Sequence, residues 1–258
     1  SAADTGPVDP NKICQQLTTS GLTDSVCPYC GVQPEGGWTA LDTDITAWQR
    51  LNGHYIVRSA LNNASYYAVL AGDSACVFLN GQGITTPDSY AFQVEGGTLT
   101  VMGSATVTGD FKSGSSVGAT IDVVSGTLNL CGGTYRKSTG SSNAVVAVRG
   151  DGCTVNMYNG TAIEEGNSYH YEGGNVRLTA NATFNMYGGT IRAGQAYCGG
   201  NVYVNSAGAQ FNMYGGAILD GKAQLADGSL YNDEQQYALG GNICVLKGNF
   251  TQSQPAAV

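Results

Sequence analysis

Residues 184–191 read FNMYGGTI and residues 211–218 read FNMYGGAI, and a third near-copy, VNMYNGTAI, occupies 155–163. Aligning the chain on this apolar-Asn-apolar core extends the series. TLTVMGSATV begins at 98, TLNLCGGTY at 127, TVNMYNGTAI at 154, TFNMYGGTI at 183 and QFNMYGGAI at 210, with a weaker copy, CVFLNGQGI, at 76. The anchoring residues are Val77, Leu99, Leu128, Val155, Phe184 and Phe211, at intervals of 22, 29, 27, 29 and 27 residues. A second apolar motif precedes each later copy: YAFQV at 90, ATIDV at 119, AVVAV at 144, GGNVRL at 173 and GGNVYV at 199, with GGNICV standing late at 240. A third signal, IEEG, IRAG or ILDG, trails three of the copies.

A period of this size marks stacked units, each too small to bury its own apolar face. Two short alternating segments per period, separated by glycine, exclude helical repeats. In TFNMYGG, Phe184 and Met186 fall on one face of a strand and Asn185 and Tyr187 on the other. The pattern predicts an all-β fold: a right-handed parallel β-helix, or solenoid, of about seven coils, roughly 35 Å long at ordinary strand spacing. The register then predicts outward columns. Tyr158, Tyr187 and Tyr214 form one, extended by Cys131 and Met102. Asn129, Asn156, Asn185 and Asn212 form a second, and Asn175, Asn201 and Asn242 a third.

The chain divides into an N-terminal cysteine-containing extension (1–37), a cap (38–60), the parallel β-helix (61–250) and a disordered tail (251–258). In the cap, LDTDITAWQRLNG places Leu41, Ile45 and Trp48 at helical spacing, with Asp42 or Thr43 as N-cap and Asn52-Gly53 as stop. Either a short helix or an irregular segment packed by two tryptophans covers the first coil. A long spacer at 219–239 and a smaller bulge at 164–172, EEGNSYHYE, are rich in tyrosine and acids. Insertions in solenoids fall on one side and often bind.

The resemblance is to β-helix surface proteins of anaerobic gut bacteria. It is carried by CPYCGVQPEGGWTALDT, LNGHYIVRSALNN, VFLNGQGI, GGTLTVMGSATVTG and the FNMYGGTI units, and covers roughly residues 27–250. The GGNI and GGAI elements are also similar to polymorphic outer-membrane protein repeats and pectate-lyase-like solenoid repeats. Residues 219–239 are less regular than the repeat of that family. The resemblance implies a secreted or cell-wall-associated, extracellular protein, often a piece of a longer chain. It does not imply an activity, because fold does not carry function.

Composition narrows the partners. Lysine plus arginine is 11 against 19 aspartate plus glutamate, a net charge of −8. Such a chain lacks the basic footprint that nucleic acid or anionic lipid requires. Apolar runs such as YAVLA are too short to span a bilayer as a helix, so no membrane insertion is expected. The polar opening SAADTGPVDP has no basic start, and no signal peptide is expected within it.

There are 8 cysteines. CPYC at 27–30 has redox spacing, but GVQPEGGW follows it, and that cannot be the helix whose N-terminus activates a redox thiol. Cys14, Cys27 and Cys30 supply three thiolates suited to a structural zinc, with His54 or Cys76 as fourth ligand. A disulfide from Cys14 to Cys27 or Cys30, with no cofactor, is the favoured expectation over zinc, and no bond at all is the remaining alternative. Cys131, Cys153, Cys198 and Cys244 share no column and are expected as free thiols, which suits an anaerobic habitat.

For chemistry, the register puts Glu164 beside Arg192 as an exposed ion pair. Glu165 and Asp220 share the next column two coils apart, about 9.6 Å, at the edge of the spacing for an inverting glycosidase. Tyr169, His170, Tyr171 and Arg177 are expected nearby. No acid cluster suits a lyase-type calcium site, and 2 histidines offer little to a Ser/His/Asp triad. The expected function is a non-catalytic, adhesin-like surface module. Its partner would be a glycan, or a protein on a host or neighbouring cell, taken through loops 164–172 and 219–239. The candidate residues are Tyr158, Tyr187, Tyr214, Tyr169, His170, Tyr171, Tyr231 and Tyr237. A carbohydrate-active enzyme (glycoside hydrolase or polysaccharide lyase-like) using Glu165 and Asp220, and a passive structural stalk, are the alternatives.

Overall fold

The structure is a computed structural model that describes residues 26–110, 118–137, 144–224 and 239–253. The described chain is a parallel β-solenoid of about five turns, without a helix. Its strands form sheets of 13, 7 and 3 strands.

The repeats occupy the places their spacing demands. Leu99, Leu128, Val155, Phe184, Phe211 and Phe250 sit opposite one another on successive turns. The second motif makes a parallel column through Tyr67, Phe92, Ile121, Val146, Val176, Val202 and Ile243. The seven-stranded sheet contributes Leu61, Ile84, Val107, Tyr135, Ile163, Ile191 and Ile218. All three columns converge on one core, nearly all of it sealed from water. Phe184 and Phe211 stack at 4.7 Å, and Phe211 and Phe250 at 5.0 Å. No single turn can exclude water from such a face; stacking removes it from both sides of each ring.

Four strands, Phe92–Met102, Ile121–Cys131, Val202–Met213 and Ile243–Gln252, run through both motifs without a break. Glycine allows the bend between them. Gly126 has φ +93°, and a Cβ there would lie 2.2 Å from the Gly97 carbonyl oxygen of the preceding turn. Gly189 closes a corner in the same way, at φ +85° and 2.4 Å from the Thr161 carbonyl. Only glycine meets both the left-handed conformation and the close approach.

The structure departs from the sequence-based expectation in four places. The regular solenoid amounts to about five turns rather than seven, because the outer turns are fragmentary. Gln49–Arg50, Leu61–Asn62 and Lys222–Ala223 are strands of two residues each. The helical cap is absent: Thr39–Leu41 pairs with Gly53–Val57, and Gln49–Arg50 with Tyr67–Leu70. The polar groups between these strands find partners on the next turn instead of along a helix. Ile45 N–H donates to Asn63 Oδ1 at 3.0 Å, and Asn62 N–H to Asp44 Oδ1 at 2.8 Å. Trp48 is 52% exposed and packs no coil.

The weak copy at 76 is out of register. Val77 faces Val101, and Ala75 takes the anchor position opposite Leu99. A two-residue slip keeps every side chain on its own face, so the apolar pattern is blind to it. Lastly, Cys198 and Cys244 form a disulfide, with Cα atoms 5.8 Å apart. They share no column, but Cys198 ends a strand at one corner and Cys244 lies just past that corner on the next turn, opposite Tyr203. Among the described residues, Cys27, Cys30, Cys76, Cys131 and Cys153 form no disulfide.

Candidate functional site

Two surfaces carry chemistry, and both belong to the outward columns. On the first, Tyr158, Tyr187 and Tyr214 stack nearly parallel, at 5.3 and 5.2 Å between ring centroids. Exposure rises along the row, from a half-buried Tyr158 to 36% at Tyr187 and 44% at Tyr214. The asparagine column runs beside it. Asn156 Nδ2 donates to Asn129 Oδ1 at 2.9 Å, Asn185 to Asn156 at 3.0 Å and Asn212 to Asn185 at 3.0 Å. Thr251 Oγ1 continues the row by donating to Asn212 Oδ1. Asn156 and Asn185 each spend one N–H and one lone pair on the ladder and keep one of each for another partner, whereas Asn129 also donates to Thr100 and Asn212 also accepts from Gln210. The face is therefore a flat aromatic strip bordered by amides held at fixed spacing.

The strip does not extend to the other end. Met102 and Cys131 continue the tyrosine column, yet both are buried. Residues of the N-terminal segment lie over them, forming a small outer core of Cys27, Trp38, Ile56, Cys76, Phe78, Met102 and Cys131, with Tyr29 and Tyr158 at its margin. Tyr29 hydrogen-bonds Thr100 and Asn129, and burial pushes its hydroxyl up to about 12.

The second surface lies where that segment crosses the early turns. His54 and Cys76 face each other on adjacent strands, and Cys76 faces Thr100, so both occupy the column that Asn129 and its successors fill later. Over them lies the turn from Cys27 to Cys30. Gly31 N–H donates to the Cys27 carbonyl and Cys27 N–H to the Val32 carbonyl, both at 2.8 Å. Gly31 takes φ +71°, and a Cβ there would meet open space. The glycine is thus needed for its backbone angle and not for room. The result gathers Cys27, Cys30 and Cys76 sulfurs and a His54 ring nitrogen within 4.8 Å of one another. Cys30 Sγ and His54 Nε2 are 3.1 Å apart, and the Trp38 ring meets the His54 ring edge-on at 5.2 Å.

The thiols are not equivalent. A hydrogen bond from Cys76 outweighs burial and holds Cys27 down at about 5. The same contact, seen from its other end, and burial push Cys76 up. Burial also pushes Cys30 up.

Of the residues expected from sequence, Tyr158, Tyr187 and Tyr214 come together as one face, and Cys27 and Cys30 come together with both candidate fourth ligands, His54 and Cys76. Cys14, Tyr231 and Tyr237 lie outside the described residues, as does most of the 219–239 spacer. Tyr169, His170 and Tyr171 belong to the strand Asn167–Glu172, but their side chains lie outside the described part. Arg177 Nη2 lies 3.4 Å from Glu172 Oε2.

Glu165 and Asp220 share a turn position, both left-handed at φ 59° and 56°, with Ala193 between them at 55°. Both are exposed, and Glu165 Oε2 lies 3.7 Å from Arg136 Nε. Glu164 overturns the exposed-pair expectation. Its side chain is 3% exposed and is held by two arginines, with Arg136 Nε at 2.8 Å and Arg192 Nε at 2.5 Å. Burial pushes its carboxyl up, but the two guanidiniums outweigh that and leave it below the usual range. Such a tightly held carboxylate ties three turns together and is sealed from solvent.

The sequence reasoning missed that His54 and Cys76 act together. Aligning HYI at 54 and CVF at 76 with TVM at 100 would have put both in one outward column. No protein-family model, curated protein or solved structure matches the chain.

Proposed function

We propose that the chain is a non-catalytic, extracellular glycan-binding module, secreted or attached to a cell wall, built as a right-handed β-helix like the surface proteins its repeats resemble. The observation that carries the reading is the row of three stacked tyrosines at 5.2–5.3 Å, Tyr187 and Tyr214 exposed and Tyr158 half-buried, beside half-buried asparagine amides. A flat aromatic row suits the apolar faces of successive sugar rings, and the amides suit their hydroxyls. An acidic chain of net charge −8 favours a neutral or basic glycan over a sulfated or uronic one. No observation favours catalysis by Glu165 and Asp220, which stand on exposed turns.

A glycan array with the whole chain tests the reading, with Tyr187→Ala and Tyr214→Ala as controls. The expected result is binding of a defined glycan class that each variant weakens about tenfold, or about 1.4 kcal/mol. Binding that survives both substitutions moves the site away from this face. Absence of glycan binding, with or without capture of a cell-surface protein, overturns it in favour of a protein-binding module or a passive stalk.

A further inference from the structure

The Cys27, Cys30, His54 and Cys76 cluster stands apart from the tyrosine row, at the other end of the same columns. We infer that it is a structural zinc site of three thiolates and one imidazole, which clamps the segment 26–37 across two adjacent turns of the solenoid. Three observations support this independently of any glycan.

The first is the ligand set and its spacing. Tetrahedral zinc, with bonds of about 2.3 Å to sulfur and about 2.1 Å to nitrogen, places its ligand atoms about 3.6–3.8 Å apart. Here Cys30 Sγ and His54 Nε2 are 3.1 Å apart, and all four atoms lie within 4.8 Å. Shifts of about 1 Å in flexible cysteine side chains complete the tetrahedron. Soft thiolates with an imidazole select zinc over calcium or magnesium, which need oxygen.

The second is how the ligands are supported. His54 and Cys76 project from paired strands, so their spacing is set by the sheet. Cys27 and Cys30 project from one tight turn closed by two backbone hydrogen bonds and a left-handed Gly31. Trp38 fixes the imidazole from the side. Two rigid elements thus face each other with two ligands each.

The third is what the segment lacks. The backbone hydrogen bonds of Cys27, Gly31 and Gly37 all close within the segment itself. Val26 and Val32 are about half exposed, at 49% and 51%. Yet the segment covers Met102 and Cys131, whose column is open to solvent in later turns. Beyond the Tyr29 hydrogen bonds to Thr100 and Asn129, a short irregular segment needs a strong tether to hold such a position, and metal binding supplies one. A disulfide between any two of the three thiols would leave an odd sulfur and a histidine facing it, whereas zinc uses all four atoms.

The test uses the whole chain, purified without oxygen, with zinc and cobalt(II) as probes. Native mass spectrometry should find a single zinc retained per chain after excess metal is removed. Cobalt(II) should give thiolate-to-metal charge-transfer bands and the intense visible bands of a tetrahedral centre. Cys30→Ser and His54→Ala, both away from the solenoid core, should weaken zinc at least about a hundredfold. Cys14→Ser and Cys153→Ser should leave affinity unchanged. Chelation should open residues 26–37 to proteolysis while the far-ultraviolet circular dichroism of the repeats stays constant. The inference falls if cobalt gives no charge-transfer band, or if Cys14→Ser abolishes binding and His54→Ala does not. It also falls if a disulfide joins two of the three thiols, or if chelation leaves proteolysis unchanged.

Discussion

The column of Asn175, Asn201 and Asn242, expected to face outward but buried at its first two members, yields the sharpest quantitative test. Asn201 is fully buried and uses its whole hydrogen-bonding capacity. Its Oδ1 accepts from Gly194 N–H at 2.9 Å and from Asn175 Nδ2 at 2.7 Å. Its Nδ2 donates to the Leu219 carbonyl and to Asn242 Oδ1, each at 2.8 Å. Replacing Asn201 by leucine keeps the branched shape, adds methyl bulk and removes all four bonds. Leu219 and Asn242 are exposed and regain water. Gly194 N–H and the freed hydrogen on Asn175 are buried and do not. Two buried donors left without partners cost about 1–3 kcal/mol each, so Asn201→Leu should destabilise by about 2–6 kcal/mol.

Asn201→Ala should fall near the lower end, because the smaller side chain leaves room for a water that serves both donors. Asn242 offers the control: its Oδ1 accepts from Gly221 N–H at 2.8 Å and from Asn201, but it lies at the exposed end of the column. Asn242→Leu leaves one buried donor, on Asn201, instead of two and should cost about 1–3 kcal/mol. Urea unfolding followed by far-ultraviolet circular dichroism measures both, with an unchanged m-value required for comparison. Solenoids also open locally, so amide exchange at Gly194 should accelerate in Asn201→Leu before global unfolding. If the two leucine variants differed by less than about 1 kcal/mol, the buried ladder would not be a main support of these turns.

Two further outcomes follow from the ion pairs and the disulfide. Because the native carboxyl of Glu164 is held below its usual range, its contribution is fully present above about pH 4.3, the unfolded value. It is lost as pH falls through the lower native value, so wild type should lose stability more steeply below about pH 4.3 than Glu164→Gln. Parallel slopes in acid unfolding would refute the assignment. The Cys198–Cys244 bond closes a separation of 46 residues, for which the chain-entropy account gives about 4 kcal/mol. Thermal unfolding of the Cys198→Ser, Cys244→Ser double variant measures the loss, and an unchanged midpoint would show that the bond does not constrain the unfolded chain.

The fold is legible in the sequence because every turn repeats the same physical requirement. Val155, Phe184 and Phe211 must lie over one another for any of them to be dry, so their spacing encodes the stack directly. Phe250 belongs to the same column but is invisible to the repeat, because the insertion before it breaks the period. The disulfide is invisible for a related reason: columns describe one sheet, and Cys198 and Cys244 meet around a corner. Glu164 reads as exposed because sequence shows one arginine neighbour on the next coil, whereas Arg136 from the preceding coil seals it from the other side.

The Cys27, Cys30, His54 and Cys76 cluster shows why function is harder to find than fold in such a chain. The inward positions are under a shared constraint, since each must match the turns above and below, and that constraint writes the repeat. The outward positions answer only to local partners. In the column that holds Asn129, Asn156, Asn185 and Asn212, the choice of asparagine is itself repetitive, because each amide bonds the next. At His54 and Cys76 the same column departs from that ladder, and those two positions lie directly under Cys27 and Cys30. In a solenoid, then, an outward position where the ladder residue gives way to a ligand type marks a covering element. The CxxC turn identifies what covers it, and register supplies the two partners that spacing along the chain could not.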